Sequence, residues 1–327
     1  MLLTSQAAFA GALFPNVVVT VAPLKPYVDE ILRGRGESSN LLRPGQEPHD
    51  FALSPSQAEI LEKADIVVVP DLGINPFMKR LLAGKRQILV IELSGLEGAD
   101  ALPYAAENPW LVAMKAAQKS EPEKKAARKR DAKDEKKQEV HLPPIDPHLW
   151  LDPERMAAMA VPLAEAIAEK TPESHGVLVM NAKMLALHLR KDVIPQLRAM
   201  MKENAREQTA VGRKEIPFIT YHAAYQYFLQ RFGLTHYGEI TTRPEEMMGA
   251  QTTATLLRGA PELHVRCLIG EDNLGLMKRL AQMTKARVVL LSPEQLVERR
   301  EVDALEWMKN DYDRFLYVTA KTFSGCL

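Results

Sequence analysis

Short runs of consecutive apolar residues, separated by stretches with helical periodicity, recur along most of this chain and limit its possible folds. In the first half they are V-V-V-T-V from Val17, I-V-V-V from Ile66 and Q-I-L-V-I-E-L from Gln87. In the second half they are I-P-F-I-T-Y from Ile216, L-T-H-Y-G-E-I from Leu234, V-R-C-L-I-G from Val265 and A-R-V-V-L-L from Ala286. Strands that are apolar on both faces are typical of parallel sheets covered by helices. The sequence therefore predicts an α/β protein with two lobes, each built on a mostly parallel sheet.

The segments between these runs carry helix signals. Ser54 and Pro55 have the residue types of an N-cap and a first helical position, and Pro26 opens an earlier helix. Further helical patterns begin at Phe77, Ala223, Thr252, Leu274 and Ala304. The alternation of strand and helix is therefore complete in both halves.

A long helical pattern from Thr171 to Asn204 connects the two halves, and Pro195 within it is expected to kink the helix. A helix of roughly thirty residues spans ~45 Å, which suits a rigid link between lobes. We therefore predict an N-terminal tail (1–15), an N-terminal lobe (16–170), a linking helix (171–208) and a C-terminal lobe (209–327).

The charge distribution argues against a nucleic-acid partner. The 42 Lys and Arg residues balance the 42 Asp and Glu residues, and no basic stripe has interleaved aromatic residues. No window reaches the ~18 apolar residues that a membrane-spanning helix needs. Residues 115–140 are rich in lysine and glutamate and lack aromatic residues, so they are expected to form a solvated, mobile loop.

The N-terminal segment M-L-L-T-S-Q-A-A-F-A-G resembles the end of a secretory signal, because Ala8 and Ala10 form an A-x-A cleavage pattern. A basic region is missing and the apolar part is short, which predicts an exported protein whose signal peptide is truncated in this sequence. Cys267 and Cys326 are the only cysteines. In an exported protein they could pair, but the residues alone leave two unrelated thiols equally open.

Three of the eight histidines are candidate metal ligands because of where they lie. His49 is in a turn-rich segment, His148 lies between two Asp-Pro steps, and His222 follows an apolar strand. Loops and strand ends are where α/β sheets place ligand sites. Three imidazoles can bind Zn²⁺ and leave a fourth position open. The long spacings form no local motif, so the residues alone leave this cluster a hypothesis.

Four stretches of the chain resemble the substrate-binding proteins of bacterial zinc-uptake ABC transporters, the ZnuA-like branch of the cluster A-I metal-binding family. They are P-G-Q-E-P-H-D-F-A-L-S-P-S-Q from Pro44, D-P-H-L-W-L-D-P from Asp146, Y-H-A-A-Y-Q-Y-F-L-Q-R-F-G-L from Tyr221 and P-E-E-M-M-G-A-Q from Pro244. They occur in family order, and the similarity spans nearly the whole chain.

The resemblance implies two α/β lobes joined by a long rigid helix, with a metal site in the cleft between them. It implies that His49, His148 and His222 bind Zn²⁺ as cargo, and that Cys267 pairs with Cys326. It also implies a periplasmic, non-enzymatic and monomeric receptor whose partner is an ABC-transporter permease. Neutral imidazoles favour Zn²⁺ over Mn²⁺ as the cargo.

The chain also departs from the family pattern. Ser292 stands where many relatives have an aspartate ligand, so we expect the fourth donor to be water, Glu47 or Glu271. The lysine-rich loop replaces a histidine-rich one, which argues against metal collection there. Two alternatives stay open: a zinc hydrolase that uses an open fourth position, and a receptor for Mn²⁺ or another divalent metal.

Overall fold

A computed structural model describes residues 14–43, 45–85, 87–104, 145–210, 218–234, 236, 238–241, 250–259, 265–271, 274–296 and 305–327. The predicted charged loop 115–140, the A-x-A pattern and the stretch from Pro244 to Gly249 lie outside these residues. None of the helices in the described part is long and apolar enough to cross a membrane.

The first lobe contains a parallel sheet of four strands in the order β2-β1-β3-β4. The strands are β1 (Val17–Val19), β2 (Ser39–Asn40), β3 (Ile66–Val69) and β4 (Leu89–Glu92). The helices are α1 (Leu24–Leu32), α2 (Pro55–Glu62) and α3 (Pro76–Ala83). Ser54 caps α2 through a capping box with Gln57, as its sequence predicts. Strand β2 was not predicted, because two polar residues at a sheet edge carry no apolar pattern.

Helices α4 (Pro153–Ala168), α5 (His175–His188) and α6 (Ile194–Ala210) follow, and α5 continues into α6 through a π-helical turn (Leu189–Val193). Helix α5 begins later than the predicted start at Thr171, because Pro172–Ser174 form a 3₁₀ turn. Pro195 lies just after the π turn. Since proline has no N–H and its ring crowds the carbonyl four residues earlier, the wider turn accommodates the distortion that was expected as a kink. Helix α5 packs against α1 and α4.

The second lobe repeats the plan of the first, with parallel strands in the order β6-β5-β7-β8. They are β5 (Phe218–His222), β6 (Gly238–Thr241), β7 (Cys267–Gly270) and β8 (Arg287–Leu290). Helices α7 (Gln226–Phe232), α8 (Ala250–Gly259) and α9 (Leu274–Thr284) alternate with them. The predicted fold class, two lobes with parallel sheets covered by helices, is confirmed.

The last helix, α10 (Asp311–Ser324), begins later than the pattern from Ala304 predicts. Asn310 and Asp313 form a capping box that fixes this start. Cys326, just after α10, forms a disulfide with Cys267 of β7, and their Cα atoms are 5.7 Å apart. The bridge ties the C-terminal end to the second sheet.

The segment 146–152 of the first lobe makes non-covalent contacts with the second lobe. The Asp152 carboxylate accepts two hydrogen bonds from Arg231, at 2.6 and 2.9 Å. Trp150 Nε1 donates to the carbonyl of Pro293 at 2.7 Å, and Tyr227 Oη donates to the carbonyl of Asp146 at 2.8 Å. The largest hydrophobic core is continuous through this region and includes residues of both sheets. Packing of this kind holds the lobes in one arrangement.

Candidate metal site between the lobes

The three histidines selected from the sequence come from separate parts of the chain and meet between the lobes. His49 lies in the loop after β2, His148 directly precedes a 3₁₀ turn (Leu149–Leu151), and His222 is the last residue of β5. Their exposed fractions are 4%, 0% and 1%. Buried imidazoles in contact with one another need a shared partner, and a cation is the obvious one.

The loop that carries His49 is fixed by amide side chains from two helices of the first lobe. Asn75, the N-cap of α3, donates to the carbonyl of Pro48 at 3.2 Å. Gln57 of α2 donates to the carbonyl of Leu41 at 2.9 Å and to Gln46 Oε1 at 2.6 Å. The turn-rich segment is therefore held in one conformation by groups that the sequence places at helix starts.

The spacing of the imidazole nitrogens fits a tetrahedral ion. The Nε2 atoms of His49 and His222 each lie 3.3 Å from Nε2 of His148. In a tetrahedral complex, neighbouring donors are separated by about 1.6 bond lengths. With zinc–nitrogen bonds of ~2.0–2.1 Å, that separation is about 3.3–3.4 Å. The two distances therefore match the donor separation expected around a bound Zn²⁺.

Carboxylates hold two of the rings in the orientation that ligation requires. Asp146 Oδ1 accepts from His148 Nδ1 at 2.6 Å and from the backbone N–H of His148 at 3.0 Å. Glu271 Oε1 accepts from His222 Nδ1 at 2.7 Å. Because the proton is kept on Nδ1 in both rings, the lone pair of Nε2 faces the centre of the cluster. This arrangement also increases the basicity of the donor nitrogens.

Glu294 supplies a fourth donor that the sequence analysis missed. Its Oε1 atom lies 3.5 Å from His148 Nε2 and 3.8 Å from His222 Nε2, and it groups with the three histidines as one set of possible metal ligands. The residue is only 6% exposed. Within the described part of the chain, Oε1 has no hydrogen-bond donor. A buried carboxylate oxygen in this state is suited to a cation.

Ser292, which the resemblance places where many relatives are expected to have an aspartate, contacts Glu294. Its hydroxyl donates to Glu294 Oε2 at 3.2 Å and accepts from the Glu294 N–H at 3.3 Å. The sequence did contain a signal for Glu294. This acidic residue lies a few positions after β8, and the carboxyl end of β8 is on the same side of the sheet as His222 at the end of β5. Only water, Glu47 and Glu271 were expected as fourth donors.

Glu47 and Glu271, the two carboxylates expected as fourth donors, lie next to the histidines but accept hydrogen bonds from nitrogens other than Nε2. Glu47 Oε1 accepts from the His49 N–H at 3.1 Å and is 4.0 Å from His49 Nε2. Glu271 contacts the Nδ1 side of His222, away from the nitrogen that faces the cluster. Neither is in the group formed by the histidines and Glu294, but together with Glu294 they form a second group made of carboxylates only.

The electrostatics couple cation binding to proton release. Burial lowers the pKa of His148, but Asp146 and Glu294 outweigh it and raise this pKa to about 10. The pKa of His222 is likewise raised, since Glu271 and Glu294 overcome burial. Burial and the nearby Glu294 raise the pKa of Glu47 to about 8. At neutral pH a metal must therefore displace protons, and this competition extends well above the ~6.5 of a free imidazole.

Comparisons with known proteins identify relatives of this chain. A family model described as "Zinc-uptake complex component A periplasmic" matches residues 17–316. The High-affinity zinc uptake system protein ZnuA of Brucella abortus (strain 2308) is 27% identical over 288 residues, which is 85% of this chain and 83% of the relative. ZnuA of Haemophilus ducreyi (strain 35000HP / ATCC 700724) is 24% identical over 316 residues, or 95% and 93% of the two chains.

Solved structures support the same fold. A crystal structure of ZnuA matches with a TM-score of 0.68 at 19% identity and covers 95% of this chain and 98% of that chain. A Zn(II)-bound mutant variant of AdcAII from Streptococcus pneumoniae matches with a TM-score of 0.67 at 17% identity, with coverages of 94% and 98%. Because the family model extends over nearly the entire described fold, the chain belongs to the ZnuA family, the periplasmic component A of zinc-uptake complexes.

Proposed function

We propose that this protein captures Zn²⁺ between its lobes and delivers it to an ABC-transporter permease for zinc uptake. The observation that carries the proposal is the convergence of four buried donors, Nε2 of His49, His148 and His222 and Oε1 of Glu294. Their spacing suits a tetrahedral ion with nitrogen and oxygen ligands. The zinc-uptake names of the curated relatives support the same cargo.

The donor set favours zinc over manganese. Three imidazoles and one carboxylate are the ligands of a borderline-soft ion, whereas Mn²⁺ prefers oxygen donors and a higher coordination number. Glu294 also argues against the alternative of a zinc hydrolase. A catalytic zinc keeps a fourth position open for water, and here a buried carboxylate faces that position.

The proposed working form is a monomer outside the cytoplasm that binds one ion and docks on a membrane permease. We also propose that residues 16–170 and 209–327 act as two lobes, with 171–208 as the link. The core that is continuous between the lobes favours small movements over wide opening. The role in uptake is binding and delivery, without chemical conversion of the cargo.

A competition titration tests the proposal. Chelator-stripped protein is titrated with Zn²⁺ and with Mn²⁺, and His148→Ala is compared with His175→Ala, a control at an exposed histidine. We expect one tight zinc equivalent, much weaker manganese binding, a large loss in His148→Ala and no change in His175→Ala. Equal affinities for the two metals, or tight zinc binding by His148→Ala, would contradict the assignment.

A further inference from the structure

The carboxylate group (Glu47, Glu271 and Glu294) lies directly beside the metal-binding histidines. One oxygen atom from each of its members lies within 4.8 Å of the others. Glu294 belongs to this group and also to the group with His49, His148 and His222. A cation held by the carboxylates could therefore reach the histidines without leaving Glu294.

Exposure decreases through the carboxylate group toward the histidines. The exposed fraction of the side chain is 27% for Glu47, 16% for Glu271 and 6% for Glu294. The side chains of His148 and His222 are both 0% exposed. The carboxylates therefore form the side of the buried site that faces solvent, with Glu47 outermost and Glu294 innermost.

Within the ranges that the structure describes, the charges of this group are balanced only through the imidazoles that would themselves bind the metal. The ion pairs that its members make in the described part of the chain are with imidazoles. Oε1 of Glu294 is buried and has no hydrogen-bond donor among the described residues. Carboxylates this close repel one another, and a cation between them removes that repulsion. The group is therefore suited to a metal ion and unsuited to an anion.

A second approach to Glu294 is less favourable for a cation. A cavity of about 130 Å³ also reaches Glu294, but its wall includes Arg43 together with the amides of Asn40, Gln46 and Gln295. The Arg43 guanidinium repels a divalent cation, whereas Glu47 and Glu271 attract one. Electrostatic attraction therefore favours approach of the cation to Glu294 past Glu47 and Glu271.

We infer that the carboxylate group is an entry site for Zn²⁺, and this inference rests on the proposed function. Carboxylate oxygens hold a divalent ion while it keeps several of its waters. The ion then exchanges the oxygens of Glu47 and Glu271 and its remaining waters for the three imidazole nitrogens, while Glu294 remains a ligand throughout. Loading is thereby divided into steps, none of which requires the bare ion.

Glu47→Gln, measured at a pH above the raised pKa of about 8 for Glu47, tests this inference, because glutamine keeps the acceptor for the His49 N–H and removes only the charge. Glu165→Gln, at an exposed position of α4, is the matched control. Stopped-flow fluorescence follows zinc association, and an excess of EDTA then gives dissociation. Trp150 is a suitable reporter, since its ring centroid lies 5.1 Å from that of His148.

We expect association and dissociation to slow together in Glu47→Gln, each by roughly 3–10-fold, with the effect on association decreasing at high salt. The equilibrium affinity should change less than either rate, and Glu165→Gln should match the wild type. An association rate equal to that of Glu165→Gln overturns the entry site. If dissociation is also faster in that case, Glu47 is instead a ligand of the final complex. Weak zinc binding by the wild type overturns the proposed function and, with it, this inference.

Discussion

Replacing Asp146 by asparagine should weaken zinc binding without removing a ligand. Both carboxylate oxygens of Asp146 accept hydrogen bonds in the buried junction. Oδ1 accepts from His148 Nδ1 at 2.6 Å, and Oδ2 accepts from Gln226 Nε2 at 2.6 Å. Asparagine offers one acceptor oxygen and one NH₂ group, so one of these donors must face another donor.

The two orientations of the asparagine amide set the size of the effect. With the NH₂ group toward His148, the ring accepts at Nδ1 and carries its proton on Nε2, where it cannot bind metal. With the oxygen toward His148, the NH₂ group faces that of Gln226, which also donates to the carbonyl of Pro103 at 3.0 Å and so cannot rotate without loss. The first orientation also leaves the backbone N–H of His148 without its acceptor. Each orientation therefore costs one buried donor, and only the second leaves Nε2 free to bind zinc.

In the second orientation a neutral amide replaces the carboxylate that holds the His148 ring, and a charge-assisted hydrogen bond exceeds a neutral one by about 1–2 kcal/mol. Groups that support a ligating histidine typically change metal affinity by about 10–100-fold, which agrees with this range. We therefore expect Asp146→Asn to bind zinc about 10–100-fold more weakly at pH 8. Competition with a chromophoric chelator measures the affinity, and circular dichroism checks the fold.

The pH dependence provides a second, independent test of the same variant. Asp146 is a principal reason that the pKa of His148 is raised to about 10, so its removal lowers that pKa and weakens proton competition. The affinity of the wild type should rise with pH between 6 and 8, and that of Asp146→Asn should rise less steeply. An affinity within twofold of the wild type at pH 8 would refute the role of Asp146 in supporting His148 as a ligand.

Three further predictions concern other parts of the molecule. Glu294→Gln should lose more than about 100-fold in zinc affinity, beyond the usual effect of a supporting group; a loss below tenfold in the chelator titration would exclude ligation. Cys326→Ser should lower the free energy of unfolding by about 2–5 kcal/mol, measured in urea; an unchanged midpoint would contradict this. Burial lowers the pKa of His188, but hydrogen bonds to Asp313 and Asp192 raise it overall, so its stabilising effect is complete below about pH 6.5 and is lost as pH rises through the raised pKa. The stability difference between the wild type and His188→Asn should therefore shrink from pH 5.5 to 9, and a constant difference would refute this.

The sheets were predictable because their strands are buried on both faces. I-V-V-V at β3 has no polar alternation, and all four residues of the strand are buried. Boundaries were less predictable where a local cap overrides an apolar pattern. Trp307 and Met308 suit a helix, but the capping box of Asn310 and Asp313 starts α10 after them. Capping depends on side-chain geometry that periodicity does not encode.

The histidines could be selected from the sequence because each lies at a strand end or between Asp-Pro steps. Glu294 could be noted only as one acidic residue after β8, because residues after a strand end have no periodicity that says which of them points inward. Its direction depends on a contact from the other lobe, since Trp150 donates to the carbonyl of Pro293 at 2.7 Å. Ser292 then holds the other oxygen of Glu294. The choice of Glu294 over Ser292 is therefore made by tertiary contacts.

The site and the junction between the lobes are built from the same residues. Asp146 orients His148 and accepts from Gln226 of the second lobe, while Trp150 packs against His148 and holds the loop of Glu294. A wide separation of the lobes would break these contacts along with the donor set. The contacts that hold the lobes together therefore also position the ligands, which favours affinity because few side chains must be ordered on binding. Loading requires the ion to lose water and the site to release protons, and the variants of Glu47 and Asp146 test these two requirements separately.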